Sequence, residues 1–197
     1  MAAALIVPRR IIVAMTGATG IIHGIEILRL LREIGGFETH LILSPAAIRT
    51  LREETDIPVE EVAALADVRH RFKDIGASIA SGSYRTEGMI VAPCSAHTLS
   101  MIAASLGDNL IARAADVCLK ERRPLLLMLR ETPLHLGHIE NMADVTRYGA
   151  IVMPPLASFY ARPATIADMV RQTAARALDV MGIEAPDLHR WTESGQD

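Results

Sequence analysis

The stretch Ile11-Ile12-Val13-Ala14-Met15-Thr16-Gly17-Ala18-Thr19-Gly20 narrows the choice of fold more than any other part of the chain. It is an apolar run of strand length that breaks into a turn of small residues, and Ile21 to Arg32 then reads as a helix. Ile22, Ile25, Leu28, Leu31 and Ile34 recur every third residue, close to one helical face. A helix opening straight from such a turn presents unpaired N–H groups and the positive end of its dipole, which suits an anion such as phosphate. Gly17 and Gly20 let backbone approach a ligand, and Thr16 and Thr19 offer hydroxyls. A plain β–turn–α connection uses the same residues, so this stretch alone leaves both readings open.

A chain of 197 residues is expected to form one domain with a sizeable core, residues 1–9 and 183–197 being terminal extensions. Half of it is apolar and the net charge is −3, the composition of a soluble globular protein. No basic excess points to nucleic acid, and aromatics for base stacking are scarce. No apolar run reaches membrane-spanning length, and Met1 to Arg10 lacks the charged leader of a signal peptide. Cys94 and Cys118 both sit in apolar stretches, as in a reducing compartment, so the expected location is cytoplasmic.

Gly35-Gly36 stops the first helix, Glu38 to Ser44 reads as a second strand, and Pro45 opens a helix through about Glu54. A dinucleotide-binding unit would end that strand in an acid, whereas here it ends in Ser44. The glycines from Gly17 run G-x-x-G-x-x-x-G, with His23 where the last glycine of the nicotinamide-type pattern would fall. An NAD-dependent dehydrogenase is disfavoured. Val62 to Val68 suggests a short helix, and residues 75–83 read either as a flexible surface loop or as a hydroxyl-rich loop around a phosphate.

Met89 to Ala92 is a third strand, followed by Pro93-Cys94-Ser95-Ala96-His97-Thr98 and a helix from about Leu99 to Leu106. Cys94 has no adjacent base to activate it and reads as a packed cysteine. Asp108-Asn109 cap a helix to about Arg123. On it Arg113 and Lys120 share a face, either as a solvated stripe with Asp116 paired to Lys120 or as two cations directed at a phosphate. Pro124 to Leu129 is a fourth strand of continuous apolar residues, ending in Arg130-Glu131, a charged pair whose burial would need a partner. His135 and His138 lack an evident third metal ligand, so no metal site is expected. Ala150 to Pro155 is a fifth strand and Thr165 to Met181 the last helix, with Arg171 and Arg176 on it. The tail, with Trp191, is a candidate for packing on a neighbouring subunit.

Strands and helices alternating five times imply a three-layer α/β domain of flavodoxin/Rossmann-like type with a mainly parallel sheet. Its carboxyl edge would carry Thr16 to Thr19, Ser44, Ser95 to Thr98 and Arg130-Glu131, a mononucleotide-sized site.

Those motifs together resemble the flavin prenyltransferase family, UbiX and its phenolic-acid-decarboxylase-associated relatives. The resemblance runs from about Arg10 to Trp191 and rests on Met-Thr-Gly-Ala-Thr-Gly (15–20), Ala80-Ser81-Gly82-Ser83, Pro93-Cys94-Ser95, Arg113-Ala114-Ala115-Asp116-Val117, Leu119-Lys120-Glu121-Arg122-Arg123, Arg130-Glu131-Thr132-Pro133-Leu134, Glu140-Asn141-Met142 and Phe159-Tyr160. It implies a flavodoxin-like flavoprotein domain that binds FMN, often between subunits of a homo-oligomer such as a dodecamer. By similarity, Gly17, Ala18, Thr19, Ser44, Ser95, Ala96, His97, Thr98 and Arg130 contact FMN. The family joins a dimethylallyl group from dimethylallyl monophosphate to reduced FMN at N5 and C6, and prenyl-FMN passes to a UbiD-type decarboxylase. Ser81, Arg113, Lys120, Tyr160 and Arg176 match its prenyl-phosphate contacts. Glu131 and Glu54 match its carboxylates near the flavin, and with Thr19 make up the implied catalytic set. Fixed cations suit a departing phosphate, and a carboxylate suits a proton released in ring closure.

Thr19 stands where many members have serine and keeps the hydroxyl; His23 replaces an aromatic and reads as a helix-surface residue. Two other readings compete. Flavoproteins that oxidatively decarboxylate cysteinyl groups carry an asparagine where this chain has His97, and their methionine-rich clamp is not visible. A flavin carrier or assembly subunit of a phenolic-acid decarboxylase would have no use for a second phosphate site.

Overall fold

Each long apolar run becomes a strand because helices cover both faces of the sheet it enters. The strands are β1 (Arg9–Met15), β2 (Phe37–Leu43), β3 (Val68–His70), β4 (Gly88–Cys94), β5 (Leu125–Leu129) and β6 (Ile151–Val152). The helices are α1 (Ile21–Ile34), α2 (Pro45–Glu54), α3 (Val59–Ala64), α4 (Ala96–Ala103), α5 (Leu110–Lys120), α6 (Leu136–Arg147) and α7 (Ile166–Val180). This computed structural model describes residues 9–186 and 188–190; Trp191 and the end of the tail lie outside the described residues.

The strands pair in parallel in the order β3-β2-β1-β4-β5-β6. The chain winds outward through β2 and β3, then returns to the other side of β1 for β4 to β6. The order therefore reverses between β1 and β4, where ligands of open α/β sheets bind at the carboxyl ends of the strands. In β5, Leu126 and Met128 face the layer of α1, α2 and α7, while Leu125, Leu127 and Leu129 face that of α4 and α5. Each such buried side chain contributes about 2 kcal/mol of transfer free energy. Gly24 lets α1 lie directly on β4, since a Cβ there would stand 2.2 Å from the Ala92 carbonyl oxygen.

Several boundaries differ from the sequence reading. The expected Val62–Val68 helix is α3 further upstream, and Val68 begins β3, a sixth strand too short to show a period. The expected Leu99–Leu106 helix starts at Ala96, because Ser95 caps it by accepting from the Thr98 N–H. The helix expected to reach Arg123 stops at Lys120, and the Ala150–Pro155 strand shrinks to Ile151–Val152. Residues 78–80 form a tight turn with Ile79 and Ala80 buried in the core, so the 75–83 segment is not a loose surface loop.

A polar cluster that the sequence did not reveal lies at the amino end of β2. Glu38 Oε1 accepts from Arg10 Nε at 2.8 Å, His40 Nε2 at 2.9 Å and the Tyr84 hydroxyl at 3.1 Å. Since His40 Nε2 donates there, its Nδ1 accepts from His70 Nε2, 2.8 Å away. Burial works against the Glu38 carboxylate, but the bonds from Arg10, His40 and Tyr84 outweigh it and hold its pKa low. Burial lowers both histidines from 6.5; Glu38 pulls His40 back in part, and His40 lowers His70 further. Below pH 6.5 the unfolded chain therefore takes up protons that the folded chain resists, so this stability is full above 6.5 and is lost as pH falls. Thermal midpoints should fall from about pH 7 to about pH 5. They should fall less steeply in His70→Gln, whose amide keeps a donor for His40 without titrating.

Candidate active site

Four segments meet at the carboxyl edge around the reversal point. They follow β1 (Gly17, Ala18, Thr19), β2 (Ser44), β4 (Ser95, Ala96, His97, Thr98) and β5 (Arg130). Hydrogen bonds stitch them together. The Thr16 hydroxyl donates to the Pro93 carbonyl at 2.8 Å and accepts from the Ser95 N–H at 2.8 Å. The Ser44 N–H donates to the Met15 carbonyl at 3.1 Å, and the Arg130 N–H to the Cys94 carbonyl at 3.0 Å. Gly17 lies so close to α2 that a Cβ would stand 2.3 Å from the Ala46 Cβ. Thr16, read from the sequence as a ligand hydroxyl, is thus buried as the brace between the β1 and β4 loops.

The start of α1 departs from expectation as well. Gly20 adopts a left-handed conformation and offers no side-chain cap. The N–H groups of Gly20 and Ile21 instead donate to the Glu54 carboxylate at 2.9 and 3.1 Å. The anion at this helix start is the chain's own, and a bound phosphate would rely on the 17–19 turn and the neighbouring segments. His23 folds back so that its Nδ1–H donates to the Gly20 carbonyl at 3.0 Å. Burial lowers its pKa against the opposing pull of that carbonyl and of Glu54. The expected helix-surface histidine is a half-buried brace of the turn.

Ser44 and Ser95 are N-caps, accepting from Ala47 N–H at 3.0 Å and Thr98 N–H at 3.2 Å. The Ser95 hydroxyl also donates to Thr98 Oγ1, which is buried, while Thr19 and His97 are exposed. Arg130 and Glu131 both stand exposed, so the expected buried charged pair is not made. Among the described residues no ion pair joins them, and Glu131 accepts from the Thr132 N–H at 3.1 Å. Cys94 is fully buried and its thiol pKa is pushed up to about 12, which disposes of a nucleophile there. His135 and His138 stack with ring centroids 3.7 Å apart, His135 Nδ1 capping α6 by accepting from the Gly137 N–H.

Of the residues matched to a prenyl phosphate, Lys120, Ser81 and Arg176 lie toward the amino edge of the sheet, away from these turns, while Arg113 and Tyr160 lie on the carboxyl side. Lys120 is the last residue of α5, immediately before the amino end of β5. Ser81 is nearby: a Cβ on Gly82 would stand 2.7 Å from the Lys120 ammonium. Arg176 lies near the end of α7, whose following residue Met181 reaches the start of β4 at Gly88. Helix α7 packs on one face of the sheet and α5 on the other, so the sheet separates Arg176 from Lys120. Arg113 sits in the first turn of α5, seven residues from Lys120, or about 10 Å along the axis. Asp116 pairs with Arg113 at 2.9 Å and not with Lys120, whose partner is Glu121. Tyr160 follows β6 beside His189, with ring centroids 5.9 Å apart.

A family model described as Flavoprotein matches residues 4–178. Flavin prenyltransferase UbiX of Escherichia coli K12 is 51% identical over 185 residues, covering 93% of this chain and 98% of that protein. The crystal structure of AnUbiX (PadA1) in complex with FMN and dimethylallyl pyrophosphate matches with a TM-score of 0.93 at 47% identity, covering 95% of this chain and 100% of that one. A dodecameric FMN-dependent UbiX-like decarboxylase from Escherichia coli O157:H7 matches with a TM-score of 0.90 at 48% identity, over 93% of this chain and 99% of that one.

Thr16→Val removes the acceptor of the Ser95 N–H while the side-chain shape is kept. It should lower the unfolding free energy by about 1–3 kcal/mol, read from urea denaturation with an unchanged m-value. The sequence similarity, its coverage and the matching fold together establish that the chain belongs to the flavoprotein family and, within it, to the UbiX flavin prenyltransferases.

Proposed function

We propose that this chain is a flavin prenyltransferase that transfers the dimethylallyl group of dimethylallyl monophosphate to reduced FMN. The observation that carries this reading is the gathering of Gly17, Ala18, Thr19, Ser44, Ser95, Ala96, His97, Thr98 and Arg130 on one sheet edge in a chain 51% identical to a flavin prenyltransferase. The donor set fits FMN: the exposed Thr19 hydroxyl and backbone groups of the turns after β1, β2 and β4 suit the ribityl phosphate, and the Arg130 guanidinium suits a polar ring edge. Reduced FMN, when bound, supplies the nucleophilic N5 and C6.

The chain's own side chains then have divided tasks. Lys120, Arg113, Arg176, Ser81 and Tyr160 hold the phosphate of the donor and stabilise the charge it gains as the allylic C–O bond breaks. Glu131, free of Arg130 and exposed at the edge, accepts the proton that ring closure releases. Glu54, anchored on Gly20 and Ile21, is a second carboxylate beside the Thr19 turn. Because Lys120, Ser81 and Arg176 lie toward the amino edge, the site is completed by further copies in a homo-oligomer. Exposed Leu136, Leu156, Phe159 and Ile166, each at least 67% accessible, supply apolar surface for that packing. The dodecameric relative supports the same arrangement, a dodecamer in solution. The product passes to a UbiD-type decarboxylase, and the reaction takes place in the cytoplasm.

Anaerobic incubation of the protein with reduced FMN and dimethylallyl monophosphate, read by mass spectrometry, should yield a flavin heavier by one five-carbon unit. Lys120→Ala should abolish it. Tight FMN binding with no adduct from either the monophosphate or the diphosphate would overturn the reading in favour of a flavin carrier or a cysteinyl decarboxylase.

A further inference from the structure

The segment carrying Ser81 is held from two sides. Ser81-Gly82-Ser83-Tyr84 is a turn closed by the Tyr84 N–H donating to the Ser81 carbonyl at 3.2 Å, and since it joins no strand or helix its place in the fold is set by the side chains that grip it. On one side the Tyr84 hydroxyl donates to Glu38 at 3.1 Å, and the Arg10 guanidinium stacks 4.5 Å from the Tyr84 ring. On the other, Arg123 reaches in from the turn after α5. Its guanidinium donates to the Gly82 carbonyl at 2.5 Å, the Tyr84 carbonyl at 2.8 Å and the Thr86 hydroxyl at 3.4 Å. Five N–H groups in a planar fork make arginine the side chain that can hold successive carbonyls at once.

What this grip places is the neighbourhood of Lys120. A Cβ at Gly82 would stand 2.7 Å from the Lys120 ammonium and 2.1 Å from Glu121 Oε1. Gly82 does not adopt a left-handed backbone, so conformation alone does not demand glycine. The atoms that would be displaced are the ends of two flexible side chains, and the fold would survive their shift. The missing side chain therefore keeps space for the Lys120–Glu121 pair, hydrogen-bonded at 2.5 Å, next to the residue that follows Ser81 in the chain.

We propose that Gly82 and Arg123 are positioning residues for the prenyl-phosphate subsite: Arg123 fixes the 81–84 segment through its carbonyls, and Gly82 leaves the room in which Lys120 stands. The inference rests on the prenyl-transfer reading for its substrate, an allylic monophosphate, and extends it to two residues that never touch that substrate. Glu121 holds the ammonium in place until a phosphate takes over as partner.

The test compares the oligomeric parent protein with Gly82→Ala, Arg123→Gln and Arg123→Lys in four measurements. These are KM for dimethylallyl monophosphate, affinity for inorganic phosphate by calorimetry, FMN affinity and thermal midpoint. Gly82→Ala should weaken both KM and phosphate affinity about tenfold while FMN affinity and the thermal midpoint stay at parental values. Arg123→Gln should do the same, and Arg123→Lys, which keeps the charge on a single donor nitrogen, should recover part of the loss. If Arg123→Gln lowers the midpoint, Gly82→Ala decides alone. Parental phosphate affinity and KM in Gly82→Ala would overturn the inference and leave prenyl transfer standing. A parent that forms no prenyl adduct would sink the prenyl-transfer reading, while the phosphate titration would still decide whether Gly82 positions Lys120.

Discussion

Where the strand order reverses, β1 and β4 are neighbours whose following chains diverge to opposite faces of the sheet. The crevice between them exists only if both loops hold their places, and the Thr16 hydroxyl ties them. It satisfies the Pro93 carbonyl and the Ser95 N–H at once. Burying that hydroxyl at 2% exposure costs little because donor and acceptor capacities are both used. From this tie follow the placement of the Ser95 cap, hence the start of α4, and through Met15 the seat of Ser44 at the start of α2. The turns at the carboxyl edge are thus organised by backbone pairing around one buried threonine.

The chemistry of prenyl transfer asks for two unlike environments, an apolar ring face with a few polar contacts and a cluster of cations for a leaving phosphate. On the proposed assignment this chain supplies them from opposite ends of the sheet. Carboxyl-edge turns supply small hydroxyl residues and backbone N–H groups, while the helix C-termini at the amino edge carry Lys120 and, near the end of α7, Arg176. Cations near helix C-termini are also favoured by the helix dipole, so folding and function pull the same way there. On that assignment, joining the two ends draws on more than one copy, and Leu136 of α6 and Leu156 and Phe159 after β6 are exposed apolar surface in a single chain.

Much of the fold was legible in residues that obey a single local rule. The unbroken apolar run of β5 gave a strand covered on both faces, and Pro45 after Ser44 marked the start of α2 to the residue. Ser95 with Thr98 three residues on carried the signal for the start of α4, but the small polar residues read as a loop. Strand β3 was hidden because three residues show no period, and only pairing with β2 makes them a strand. The site was legible as a set of residues at one edge, since topology follows from alternation. It was not legible that Glu54 would occupy the start of α1, a contact across 34 residues, or that His40, His70 and Tyr84 would share Glu38. Nor could spacing on α5 reveal that Lys120 stands at the end away from the carboxyl edge, because periodicity fixes a face and not an end.

On the proposed reading, one catalytic site draws on more than one copy of the chain. Subunit complementation tests it most directly: Arg130→Ala, impaired at the flavin edge, is co-expressed with Lys120→Ala, impaired at the phosphate end, and prenyl-FMN formation by the mixed oligomer is measured. Sites built across copies predict that mixed oligomers regain activity that neither variant has alone, since some sites then combine an intact edge with an intact phosphate end. Mixed oligomers as inactive as the separate variants would place both sets within one chain and contradict the account.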